Sequence, residues 1–236
     1  MPTKARFPFM SAFMGSVTVL ALACTSNDAG GPGPILQIEK HPAQSGDGQI
    51  WETGHIPPEP FVVQVTREGL PVEGVVVRWA PRAGSGATVF DSTVTDATGA
   101  TGTQWRLGIT TGTHFLEAAV DGAVGSPVVF TAVANPNLPF VLTIVSGDGA
   151  TVPVGGTQEL VVRVDDEFGN PFPGATVFWS VVSGPAMLDT GSRISNVNGL
   201  ALVEASVGPT TGTVIVNAWL GATANHPTVF TLDVVP

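Results

Sequence analysis

In the second half of the chain, apolar and polar residues alternate in short runs: QELVVRV (158–164), ATVFWSVV (175–182), LALVEASV (200–207), TVIVNAWL (213–220) and TVFTLDVV (228–235). A period of two over so short a run belongs to a strand with one buried face. The first half repeats the pattern at 60–66, 75–80, 101–107, 113–120 and 128–134. Between runs stand turn residues, as in FGNPFPG (168–174), DATG (96–99) and NVNG (196–199), where Asp or Asn opens a turn and Gly closes it. Many short strands at this spacing predict β-sandwiches. Parity then assigns the faces: Val75, Val77 and Trp79, like Ala175, Val177 and Trp179, point into a core, and Arg78 and Ser180 point out.

The two halves are copies. LGITTGT (107–113) returns as VGPTTGT (207–213), and the offset of 100 also relates Pro71 to Pro171, Gly74 to Gly174, Trp79 to Trp179, Gly99 to Gly199, and VFT at 129–131 to VFT at 229–231. SGDG at 45–48 matches SGDG at 146–149 with an offset of 101. Each unit, of about 100 residues, is long enough to bury its own core, unlike the short repeats of a solenoid. The expected organisation is a first domain over 35–134, a Pro-stiffened linker NPNLP over 135–139, and a second domain over 140–236. TTGT is expected to turn the chain between two paired strands, once in each copy.

A different pattern opens the chain. Lys4 and Arg6 precede a mainly apolar run over 7–23 that ends in VLALAC, where Cys24 is the only cysteine. The run reads as an export signal and is short for a membrane span. Cys24 has no partner for an intrachain disulfide. VLALAC resembles a bacterial lipoprotein lipobox, which implies cleavage and a lipid on Cys24, with residues 1–24 as the signal segment. Ala21 stands where leucine is usual, and Ala21-Leu22-Ala23 also fits an ordinary cleavage site, which would give a secreted protein. Residues 25–34, TSNDAGGPGP, have no apolar period and read as a flexible tether reaching at most about 35 Å. Thr25 after the cysteine resembles the outer-membrane sorting pattern.

Charge and chemistry narrow the function. Charged residues make up 12% of the chain and the net charge is −10, or −12 without Lys4 and Arg6, so a nucleic-acid backbone is excluded as partner. His41, His55, His114 and His226 are scattered without metal-ligand spacing, and neither a G-x-S-x-G nor a phosphate-binding glycine loop is present. No cofactor, zinc site or catalytic residue is expected. Asp165, Asp166 and Glu167 form the one acidic cluster, readable as a solvated loop or as oxygen ligands for calcium.

The ordered motifs SGDGQ, VDDEFGNPFPG, VFW, TDATGA, LGITTGT and VVFTA closely resemble the group 1 bacterial immunoglobulin-like domain of invasin- and intimin-like surface proteins. The resemblance covers both units and implies an all-β fold of two tandem immunoglobulin-like sandwiches. Such domains serve as stalks, spacers and adhesive tips, so the implied role is adhesion or a structural or binding module of the bacterial envelope. An accessory carbohydrate-binding module is the alternative. The first unit departs from the pattern, with TREGLPVEG where the second has an acidic Gly-Asn-Pro loop.

Parity also predicts a surface. Phe178, Ile215 and Trp219 point outward on two strands that lie side by side in an immunoglobulin-like sheet, whereas the first unit has Arg78, Phe115, Glu117 and Ala119 there. This is a candidate contact surface for a protein or a glycan, in addition to the membrane contact through Cys24.

Overall fold

The structure is a computed structural model and describes residues 35–221 and 227–236. Cys24, the apolar run and the tether lie outside the described residues. Regular structure in the described residues is all strand. In the first lobe these are β1 (Leu36–Lys40), β2 (Gln49–Glu52), β3 (Phe61–Arg67), β4 (Leu70–Pro71), β5 (Val76–Pro81), β6 (Ala87–Thr88), β7 (Ser92–Val94), β8 (Ala100–Thr103), β9 (Trp105–Arg106), β10 (Gly112–Ala119) and β11 (Val128–Asn135). In the second they are β12 (Val141–Ser146), β13 (Ala150–Pro153), β14 (Thr157–Asp165), β15 (Thr176–Ser183), β16 (Ala186–Leu188), β17 (Ser192–Ile194), β18 (Leu200–Val207), β19 (Gly212–Leu220) and β20 (Thr228–Val235).

Each lobe is a sandwich of two main sheets, and lobe 1 has in addition the short two-stranded sheet β6-β9. In lobe 1, β1 and β8 flank β3, with β4 folded back on it, and the facing sheet runs β2-β11-β10-β5-β7. In lobe 2 the sheets run β12-β14-β18-β16 and β13-β20-β19-β15-β17. The pairings are antiparallel except β2 with β11 and β13 with β20, where the strand near the lobe's start switches sheets and pairs in parallel with its last strand. The period-two pattern does the folding: in both β10 and β19 every second side chain is buried, from His114 and from Val214 onward.

Two separate cores result. Trp79 packs on Phe130 with ring centroids 6.0 Å apart, and Trp179 on Phe230 at 5.6 Å. Lobe 1 adds Trp105, fully buried with an edge against Phe61, where lobe 2 has Ala205.

The TTGT stretch corrects the expectation of a hairpin. It joins β9 to β10 and β18 to β19, but β18 pairs with β14 and β16 whereas β19 pairs with β15 and β20. The turn carries the chain from one sheet across the core to the other. Alternation tells which side of a strand is buried, and a strand across the core satisfies it as well as a neighbour in the same sheet.

Candidate functional site

The outward face of β15 and β19 assembles two of the three surface residues directly. Phe178 pairs with Trp219 across the two strands, and their rings stack with centroids 5.9 Å apart and planes 22° from parallel. Phe178 is 36% exposed, and Trp219 and Ile215 are half-buried. Ile215 lies four residues from Trp219 on the same face and pairs with Thr231 of β20. Between them Ser180 of β15 faces Asn217 of β19, so a neutral polar row separates the aromatic row from Ile215. Among the described strands of this sheet, the charged side chain sharing this face is Asp233, beside Thr213 and three rows from Trp219. Arg193, on the edge strand β17, has the opposite parity and pairs with Asp189.

Lobe 1 presents the same four positions as Arg78 opposite Ala119 and Ala80 opposite Glu117. Its face is held by ion pairs: Arg78 with Asp121 at 2.7 Å and Arg82 with Glu117 at 2.8 Å, the Arg82 guanidinium also lying 4.9 Å from the centroid of Phe115. Such exposed pairs contribute little stability, so this face is a solvated one.

A second site lies where the lobes meet, and the acidic cluster builds it. Asp165 and Asp166 are buried, at 2% and 1% exposure, so the reading of 165–167 as a solvated loop holds for Glu167 alone. The Asp166 carboxylate accepts bonds from the backbone N–H groups of Phe168 (2.9 Å) and Asn170 (2.8 Å), which form the turn. It also accepts from Thr53 Oγ1 of lobe 1 and from the backbone N–H of Asn137 between the lobes, both at 3.1 Å. Asn170 completes the seat: its Nδ2 donates to the Ile109 carbonyl (2.8 Å) and its Oδ1 accepts from the Thr111 N–H (3.1 Å), both in the first TTGT connection. The Phe168 ring lies directly on Gly54, where an added Cβ would come within 2.8 Å of it.

Burial raises the Asp166 pKa, but the donors from Asn170, Asn137 and Phe168 outweigh it and hold the carboxyl below its ordinary value. Asp165 instead pairs with Arg163 at 2.8 Å. Glu167 accepts from Asn137 Nδ2 at 2.8 Å, so Asp166 and Glu167 both hold Asn137 while Asp165 turns to Arg163, and among the described residues no three metal-ligating side chains converge.

Lobe 1 has no such turn. Val65 and Val164 occupy equivalent positions, each donating its N–H to Gly99 or Gly199 and accepting from Val72 or Phe172. The path from Val65 to Val72 is one residue shorter than that from Val164 to Phe172. Lobe 1 closes with the two-residue turn Glu68-Gly69, both at positive φ, between Arg67 and Leu70; lobe 2 uses the three-residue turn Glu167-Phe168-Gly169 between Asp166 and Asn170. The docking residues Thr53, Asn137 and Asn170 escaped the sequence reading. Their one visible trace was the departure of TREGLPVEG from the acidic Gly-Asn-Pro pattern.

The two folded lobes are tandem immunoglobulin-like β-sandwiches. No family model matches the sequence, and no curated protein matches it. Among solved structures the chain is similar to the D00-D0 domain of intimin, at 16% identity and a TM-score of 0.42, over 86% of this chain and 100% of that one. It is similar to FdeC, an Escherichia coli adhesin, at 16% identity and a TM-score of 0.47, over 85% of this chain and 63% of that one. A β-glycosidase from Bacteroides vulgatus is also similar, at 10% identity and a TM-score of 0.35, over 85% of this chain and 24% of the enzyme.

Proposed function

We propose that this chain is a non-catalytic binding module of the bacterial envelope, anchored by a lipid on Cys24, in which two docked sandwiches carry an adhesive face on lobe 2. The observation that carries the reading is the stacked pair of partly exposed Phe178 and half-buried Trp219, in a copy whose twin has Arg78, ion-paired with Asp121, and Ala119 at the same two positions. Exposed aromatic rings that the fold does not require mark a contact surface. The joint around Asp166 supports the reading too, since it makes the two lobes one body able to present that face at a set position. The export signal and the lone Cys24 support a location at the cell surface or outer membrane, with secretion as the alternative.

The test is adhesion of the purified chain to envelope preparations. Phe178→Ser/Trp219→Ser should abolish binding while the melting temperature stays unchanged; binding that persists in the double variant removes the surface. For the anchor, wild type should partition into detergent and Cys24→Ala should be released as soluble protein. A mature N-terminus found unmodified by mass spectrometry would exclude lipidation.

A further inference from the structure

We infer that the partner of the lobe 2 face is a neutral saccharide, held across the two adjacent rows Phe178–Trp219 and Ser180–Asn217. The inference rests on the reading of this face as the binding surface. Two features of the face select the partner's chemistry.

The first is the pairing of rows. On one sheet face, residues two apart along a strand stand about 7 Å apart, and residues opposite each other across two strands have Cβ atoms about 5 Å apart. Four side chains in this lattice cover a patch on the scale of a disaccharide. One row is aromatic and offers π surface to the C–H face of a pyranose ring. The other offers an amide and a hydroxyl, the groups that exchange hydrogen bonds with sugar hydroxyls. Neither the Ser180 hydroxyl nor the Asn217 amide is engaged in a hydrogen bond within the described residues, and both stand partly exposed.

The second is the absence of charge. Arg78 and Glu117 occupy two of these four positions in lobe 1, and none of the four is charged in lobe 2. An acidic glycan would meet no cation among the described residues of this face, in a chain whose net charge is −10. A groove of about 400 Å³ in this lobe lies away from this face, lined by Pro185, Met187 and Gly208 among others.

The experiment is native electrophoresis of the full chain through gels containing dextran, mannan, galactan or xylan, with alginate as the acidic comparison. At least one neutral polymer should retard the wild type, and alginate should not. Trp219→Ser and Asn217→Ala should each weaken that retardation about tenfold or more with unchanged melting curves. Phe115→Ser, at the position of Ile215 in lobe 1, should leave it unchanged. Retardation by alginate alone, or retardation indifferent to Trp219→Ser and Asn217→Ala, overturns the proposal. If no neutral polymer retards the chain while Phe178→Ser/Trp219→Ser still abolishes envelope adhesion, the saccharide is excluded and the contact surface stands with a protein partner. If adhesion also survives the double variant, both readings fall.

Discussion

The two lobes keep the same strand pairings and the same core tryptophan, yet they treat that tryptophan differently. Val77 pairs with Thr93 and Val177 with Arg193, so these edge-strand residues are equivalent. Thr93 Oγ1 accepts the Trp79 indole N–H at 2.8 Å, whereas the buried Trp179 Nε1 has no hydrogen-bond partner among the described residues. The same contrast runs through the turn at the joint, three residues with Asp166 and Asn170 in lobe 2 against two with Arg67 and Leu70 in lobe 1. Close-packed cores punish change, while edges, turns and outward faces absorb it at small cost. Divergence after the duplication reached the core as well, where Trp105 answers to Ala205, but the joint and the outward face are the two places where a second copy can acquire a role its twin lacks.

The comparison can be broken most severely at its shared centre. Trp79→Ala and Trp179→Ala should each cost their own lobe about 3–5 kcal/mol through the cavity left behind. Calorimetry should show the mutated lobe melting first, with the other lobe lowered by no more than the joint contributes. Equal curves for Trp179→Ala and wild type would contradict its place in the core.

A smaller effect belongs to the joint. Asp166→Ala leaves the Thr53 hydroxyl and several turn N–H groups without an acceptor and should cost about 1–3 kcal/mol. The lobes should then melt independently. Acid should act in the same way: because folding depresses the Asp166 pKa, its stabilisation is complete above the ordinary value of 3.8 and is lost as pH falls through the depressed value. In Asp166→Asn the coupling between lobes should lose this acid dependence. The corresponding change in lobe 1, Arg67→Ala, should leave the joint untouched.

The smallest effect would erase the difference between the tryptophans. Arg193→Thr places in lobe 2 the hydroxyl that serves Trp79 in lobe 1 and should raise the stability of lobe 2 by about 1 kcal/mol. The exposed ion pair with Asp189 that it removes contributes little. A lobe 2 transition that does not move upward would show that the indole N–H finds water instead.

The all-β class, the inward tryptophans and the outward direction of Phe178, Ile215 and Trp219 were legible from the chain, because a strand's side chains alternate by geometry and each run carries its own period. That β15 and β19 lie side by side in one sheet followed from the immunoglobulin-like pattern of the motifs; their antiparallel direction came from the structure. The sheet crossing at TTGT was not legible, since alternation is identical for a neighbour beside a strand and one across the core. The joint was beyond reach for another reason. Thr53 and Asp166 stand 113 positions apart, and each looks like an ordinary turn residue in its own surroundings. Only folding brings the hydroxyl, the carboxylate, Asn170 and the bare backbone of Gly54 together, where burial turns an acidic loop that reads as solvated into the seat between two lobes.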